Sequence, residues 1–125
     1  MARAVGSVLV AALGVMAMPP GAAEMHGAPR ELRIVVRNMT YYLEGSAEAN
    51  PTLRLHAGET VRLVVRNEDR GMKHDFTIPD WDAATPLVAG QREGSVVITA
   101  PSRGARADYH CTPHAETMRG TIIVE

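Results

Sequence analysis

Four side chains that bind soft metal ions occupy two separate parts of the chain. The single cysteine, Cys111, precedes His114 by three residues and Met118 by seven, whereas His74 lies far upstream and opens a strand-like run. One thiolate, two imidazoles and one thioether are the ligand set of a mononuclear blue-copper site. Cys111 also has no disulfide partner within the chain. These residue types predict a site whose chemistry is the transfer of one electron.

The spacing of Cys111, His114 and Met118 puts three of these donors on one connection between strands. Thr112 and Pro113 bend the chain directly after the cysteine, so that His114 can point back toward the sulfur. The fourth donor must come from elsewhere in the sheet, which would make the site rigid. Rigidity suits electron transfer because Cu(I) and Cu(II) prefer different geometries, and a fixed site limits rearrangement between them.

Zinc is the alternative metal for these donors, because one cysteine and two histidines could hold it by themselves. The thioether of Met118 favours copper, since soft thioether ligands select copper. We therefore expect one copper ion, cycling between Cu(I) and Cu(II), with the metal ligands His74, Cys111, His114 and Met118.

Alternating apolar and polar residues predict strands around these ligands. The segments 32–37 and 61–66 alternate with a period of two, which is typical of a strand with one buried face. Shorter β-branched runs lie at 76–78, 96–98 and 121–124, with Gly, Asn and Pro turn signals between the runs. We expect an all-β fold, a Greek-key β-sandwich of seven to eight short strands. One helical turn could form at residues 81–84.

The N-terminal segment predicts export. Arg3 supplies a positive region, residues 8–13 begin an apolar stretch, and residues 19–23 offer a proline break and small residues for cleavage. We expect a signal peptide over residues 1–23, a flexible leader over 24–30 and one copper-binding domain over 31–125. A retained N-terminal anchor is the alternative, although the apolar stretch is short for a membrane span. The mature chain would be periplasmic or secreted, and metal ligation would explain a lone cysteine in that oxidising compartment.

Charge narrows the range of partners. Lys and Arg total 13 and Asp and Glu total 14 among 125 residues, and the charges are scattered. This balance gives no basic surface for nucleic acid and no attraction to an anionic membrane. We expect a monomer, without stable membrane insertion after signal cleavage, that meets redox partner proteins such as a cytochrome, a reductase or an oxidase.

The remaining histidines are assigned lesser roles. His56 precedes a turn, and His110 should face the opposite side of its strand from the neighbouring cysteine, so we expect neither in the site. Cleavage after Ala23 would make His26 the third residue of the mature chain. The segment Glu24-Met25-His26 could then hold a second Cu(II) through its amine, two backbone amides and the imidazole.

The ligand segments resemble the cupredoxins, the small blue-copper family that includes plastocyanin, pseudoazurin and amicyanin. The resemblance covers roughly residues 31–125. It rests on the segment 57–61 before a central strand, Asn67 at that strand's end, Phe76 two residues after His74, and the Cys-Thr-Pro-His segment at 111–114.

This resemblance implies roles for individual residues. His74, Cys111 and His114 would be equatorial ligands and Met118 the axial one. Electrons would enter and leave through His114, with apolar surface such as Pro113 around it.

Two departures from the family pattern bear on the site. Three residues separate His114 from Met118, whereas plastocyanin-like loops usually have four and amicyanin-like loops two. Glu116 could therefore approach the metal instead, and an oxygen ligand would give a red or green site like that of nitrosocyanin. Asp75 follows His74 where many relatives carry Asn, and an ionised carboxylate cannot donate hydrogen bonds. Its charge would favour Cu(II) and lower the reduction potential.

Electron transfer is the expected function, and we do not expect an enzyme, because no general acid–base pair accompanies the ligands in the sequence. The alternative is a periplasmic copper chaperone or resistance protein, which tends to use exchangeable sites rich in Met and His. The methionines beyond residue 23 are not clustered, which disfavours delivery; they are Met25, Met39, Met72 and Met118.

Overall fold

A computed structural model describes residues 28–125, in which nine strands form. The strands are β1 Arg30–Arg37, β2 Thr40–Leu43, β3 Leu53–Leu55, β4 Thr60–Asn67, β5 Thr77–Ile78, β6 Ala83–Ala84, β7 Glu93–Thr99, β8 Arg106–His110 and β9 Arg119–Val124. Two 3-10 helices, Pro79–Trp81 and Thr112–His114, complete the elements of the described range.

Two mixed sheets make up the fold. One has the strand order β2-β1-β4-β7 and the other β3-β9-β8-β5-β6. The pairs β1–β4 and β3–β9 run parallel, and the remaining pairs run antiparallel. The predicted all-β sandwich is therefore confirmed. Two of the strands, β5 and β6, have only two residues each.

Alternation along β4 shows why these strands form. Val61, Leu63 and Val65 are fully buried, and the arginine between the first two is exposed. Because successive side chains of a strand point to opposite faces, this pattern turns one row of aliphatic side chains toward the core. β4 lies between β1 and β7, and the alternating runs predicted at 32–37 and 61–66 are the adjacent central strands of this sheet.

The helical turn considered for residues 81–84 forms earlier in the chain. Pro79 occupies the first position of the 3-10 helix Pro79–Trp81, where its fixed φ angle is favourable. Asp82 then takes a left-handed conformation with φ 49°, which ends the helix. Ala83 and Ala84 pair with β5 as a short strand.

Three aromatic side chains pack together beneath the predicted ligands. Phe76 and Tyr109 stack with ring centroids 4.5 Å apart, and Tyr41 meets both rings edge-on at 5.3 and 5.5 Å. Each of the three is fully buried, and Tyr109 donates a hydrogen bond of 2.5 Å to the carbonyl of Pro51. The rest of the core is mostly aliphatic.

The predicted signal peptide, residues 1–23, lies outside the described residues, as does the candidate second copper site at 24–26. In the described range β1 begins at Arg30. None of the helices in this range is long and apolar enough to cross a membrane.

Candidate metal centre

Three of the predicted ligands meet at one end of the sandwich. A nitrogen of His74, a nitrogen of His114 and the sulfur of Cys111 all lie within 4.8 Å of one another. Cys111 Sγ is 3.7 Å from His74 Nδ1 and 3.6 Å from His114 Nδ1. His74 and Cys111 are fully buried, whereas His114 is half-buried. The structure thus brings His74 to two donors, Cys111 and His114, that lie about 40 residues further along the chain.

An isolated bridge to Val88 holds His74 in place. The His74 amide donates to the carbonyl of Val88 at 3.1 Å, and the Val88 amide donates to the carbonyl of His74 at 2.8 Å. Phe76, two residues later, turns its side chain into the aromatic cluster. Because alternate residues of an extended segment point to the same side, His74 also faces inward.

The second ligand segment is a short loop closed by backbone hydrogen bonds. After Cys111, the 3-10 helix Thr112–His114 forms with Pro113 near its start, and the His114 amide donates to the carbonyl of Cys111 at 3.2 Å. The Met118 amide donates to the carbonyl of His114 at 2.9 Å, and the Cys111 amide donates to the carbonyl of Met118 at 3.0 Å. The loop therefore returns to where it began.

Met118 and Glu116 have opposite environments. Met118 is fully buried and belongs to the core cluster that contains Cys111. Glu116 is exposed, and across residues 28–125 no carboxylate joins the three donors. The three-residue spacer thus places the thioether, and not the carboxylate, on the interior side of the loop.

Asp75 fastens the ligand loop by accepting a hydrogen bond. Its side chain is only 7% exposed, and its Oδ1 receives the amide hydrogen of Thr112 over 2.6 Å. The Tyr41 hydroxyl also donates to the Asp75 carbonyl. A carboxylate suits this position because the loop supplies the donor, so the lack of a side-chain N–H is no defect here.

The protein surroundings act on the Cys111 thiol in opposing directions. Burial raises the pKa of the thiol, and the charge of Asp75 raises it further. The nearby polar hydrogens of the Asp75 and His114 amides and of the Tyr41 hydroxyl act the other way, but the net pKa of the thiol stays above its usual value. Since a metal binds the thiolate, metal binding must displace this proton.

Asp69 lies in the loop that follows β4, where no sequence motif assigns it a role, and the structure places it against His74. Asp69 Oδ2 lies 2.9 Å from His74 Nε2. Asp69 also accepts the amide hydrogens of Asn38 at 2.6 Å and Met39 at 2.8 Å. Burial raises the pKa of the Asp69 carboxyl, but these hydrogen bonds outweigh burial and hold the pKa below its usual value. No local motif marks this contact, because it depends on the turn between β1 and β2.

The two other described histidines stay out of the donor group. His110 pairs with Thr77 and Arg119 across the sheet and is half-buried. His56 is exposed at the far end of β3. The placement of both histidines agrees with the expectation that neither joins the site.

Comparison with known proteins adds structural relatives. No family model and no curated protein sequence matches the chain. The reduced Cu(I) form of an amicyanin variant is 26% identical, with a TM-score of 0.54, covering 81% of this chain and 88% of that protein. Auracyanin B is 18% identical, with a TM-score of 0.65, covering 79% of this chain and 91% of its own.

A third relative is auracyanin A, a "blue" copper protein from the photosynthetic bacterium Chloroflexus aurantiacus. It is 20% identical, with a TM-score of 0.57, and the match covers 78% of this chain and all of that protein (100%). The auracyanins support the fold, and amicyanin also shares a quarter of its aligned sequence. The resemblance to the cupredoxins is therefore confirmed.

We predict that Asp75→Asn lowers the pKa of the Cys111 thiol in the copper-free protein. The substitution removes the repulsion between two negative charges, and the Asn side-chain oxygen can still accept from the Thr112 amide. Thiolate absorbance near 240 nm, followed as the pH is raised, should appear at lower pH in the variant than in the wild type. Asp108→Asn, an exposed change on β8, should leave the curve unmoved. An unchanged or raised Cys111 pKa in Asp75→Asn would contradict this account of the site.

Proposed function

We propose that this cupredoxin-like chain is a type 1 (blue) copper protein that carries single electrons between redox partner proteins. The observation that carries the proposal is the convergence of two imidazole Nδ1 atoms on one buried sulfur, at 3.7 and 3.6 Å. Copper bound there would gain and lose one electron, alternating between Cu(II) and Cu(I).

The donor set fits copper. His74, Cys111 and His114 would hold the ion in a plane, with Met118 as the weak axial ligand. Both histidines turn Nδ1 toward the sulfur, so each ring leaves Nε2 free for a different contact. Full burial of Met118 keeps a thioether on the interior side of the loop, and soft thioether and thiolate ligands favour copper over zinc. Amicyanin in its Cu(I) form and the blue copper protein auracyanin A are relatives of the same fold.

Fixed positions of the donors support electron transfer. His74 and Cys111 are both fully buried, so bulk water does not reach these two side chains. The bridge to Val88 and the hydrogen bond from Thr112 to Asp75 hold the two segments independently of any ion. Such a scaffold limits the change in ligand geometry that accompanies a change of oxidation state.

His114 provides the route between the cluster and a partner. It is the one half-buried member of the three-donor group, and it borders an open groove of about 430 Å³. The groove is lined by Met39 and residues 112–117. A cytochrome, a reductase or an oxidase seated there would approach the imidazole directly, and we propose that the chain meets such partners as a monomer.

We propose a carrier of electrons and not an enzyme or a copper chaperone. Hydrogen bonds hold His74 and the loop that carries Cys111 in place, and both side chains are buried. This arrangement favours retention of the metal through many redox cycles. Azide should therefore leave the absorption spectrum of the copper protein unchanged, and a chelator should remove copper slowly.

We further propose that residues 1–23 direct export, based on their charge, apolar stretch and small residues.

Addition of Cu(II) to the copper-free protein should produce an intense blue charge-transfer band and an EPR spectrum with small parallel hyperfine splitting. Cys111→Ser should abolish the band, because the sulfur supplies the electron for that transition. His110→Ala is the matched control, since it changes the adjacent residue on the opposite side of the strand, and it should stay blue. Copper that gives no thiolate band and is quickly lost to a chelator would contradict electron transfer and support a carrier of copper ions.

The axial ligand can be tested by paired substitutions. Met118→Leu should keep the blue band but shift the reduction potential to a more positive value, because it removes a donor that stabilises Cu(II). This volume-conserving change should cost less than about 1.5 kcal/mol of stability. Glu116→Gln should change neither the spectrum nor the potential, since Glu116 is exposed. The reverse pattern, with the spectrum altered only by Glu116→Gln, would assign the axial position to an oxygen.

A further inference from the structure

The geometry points to Asp69 as a positioning residue for His74. The turn between β1 and β2 holds Asp69 in place, and the Asp69 carboxylate fixes the tautomer of the His74 imidazole and favours Cu(II). This inference rests on the proposed function for its effect on copper, and on the structure alone for its effect on the imidazole. The amides of Asn38 and Met39, the Asp69 carboxylate and the His74 imidazole form a continuous set of hydrogen bonds, the Asp69 relay.

Hydrogen-bond roles in the relay are fixed by chemistry. A carboxylate only accepts hydrogen bonds, so the His74 Nε2 that lies 2.9 Å from Asp69 Oδ2 must carry the hydrogen. In a neutral imidazole the other nitrogen then bears the lone pair. That nitrogen, His74 Nδ1, is the one that faces Cys111 Sγ at 3.7 Å. Asp69 therefore prepares His74 as a ligand before any metal binds.

The turn that holds Asp69 has an unusual backbone. Asn38 and Met39 have φ angles of 50° and 54°, and their neighbours Arg37 and Thr40 pair across the hairpin. Two consecutive positive φ angles define the tight hairpin turn in which Gly and Asn are preferred, and methionine is uncommon there. A strained position of this kind persists where the surroundings hold it. Here both turn amides point at Asp69, at 2.6 and 2.8 Å.

The other end of Asp69 is also fixed. Its own amide donates to Asn67 Oδ1 at 2.8 Å. Asn67 Nδ2 in turn donates to the carbonyls of Met72 at 2.7 Å and Val88 at 2.9 Å. Val88 is the bridge partner of His74, so the same set of contacts holds both the backbone and the ring of the ligand. The Asp69 side chain is only 14% exposed, which limits screening by water.

An anionic acceptor on the remote nitrogen of a ligand histidine orients the ring and raises its basicity, and the loss of such a partner typically costs 10- to 100-fold in metal affinity. Greater basicity favours the more highly charged Cu(II). The relay should therefore lower the reduction potential of the copper site relative to a site whose histidine donates to a neutral group.

Asp69→Asn tests the relay, because it keeps the size of the side chain and removes the charge. In the copper-free wild type, nitrogen-15 NMR of His74 should show the Nε2–H tautomer with a hydrogen-bonded proton, and that proton signal should weaken in the variant. In the copper-loaded variant the blue band should remain, Cu(II) affinity should fall about 10- to 100-fold, and the potential should become more positive. Each tenfold fall in Cu(II) affinity relative to Cu(I) corresponds to about 59 mV.

Glu68→Gln is the matched control, since it removes a neighbouring charge that is exposed. It should leave the His74 tautomer, the affinity and the potential as in the wild type. A wild-type His74 in the Nδ1–H tautomer would overturn the inference even if Asp69→Asn failed to fold. Equal potentials and affinities in Asp69→Asn and Glu68→Gln would also overturn it while leaving a blue wild type, and hence the proposed function, intact. A wild type without a blue band would instead count against the proposed function.

Discussion

The stacking of Phe76 on Tyr109 is the contact on which the metal centre depends. These rings lie 4.5 Å apart, and they join two segments whose ladder contains a single residue pair, Thr77 with His110. Each ring stands two residues from a donor, since His74 precedes Phe76 and Cys111 follows Tyr109. Because alternate residues of an extended chain face the same side, packing the rings also brings the imidazole and the sulfur together.

Two carboxylates, one buried and one half-buried, then fix the positions of the donor side chains. Asp75 accepts from the Thr112 amide and fastens the loop, and Asp69 accepts from His74 and fastens the ring. Both are satisfied by donors that the backbone or the ligand provides, which offsets the cost of removing a charge from water. The same negative charges favour the higher oxidation state of a bound cation. Asp75 and Asp69 therefore both position the donor side chains and supply the negative charge that favours the oxidised ion.

Residue type and local spacing were enough to predict the candidate donors, and the structure brings His74, Cys111 and His114 together. Cys111, His114 and Met118 lie within one loop, and a lone cysteine in a chain that is predicted to be exported needs a role. Long alternating segments likewise predicted β1 and β4. Strands such as β3, with three residues, and β6, with two, carry too short a pattern to be recognised before their partners are known.

Other features of the site depend on contacts between distant segments. Asp69 had the appearance of a turn residue, and its role follows from a hairpin about 30 residues earlier in the chain. For Asp75, the sequence suggested a lost hydrogen-bond donor, whereas the fold supplies a donor from Thr112. The choice between Met118 and Glu116 also required the loop to be closed, because only then does one side chain face inward and the other outward.

We propose that this scaffold holds one copper ion by the same atoms in both oxidation states. X-ray absorption at the copper edge, recorded on the oxidised and the dithionite-reduced protein, measures this directly. We expect two nitrogen ligands and one short sulfur ligand in each state, with little change in the distances from copper to these atoms. Loss of the sulfur ligand, or a gain of oxygen ligands on oxidation, would contradict it.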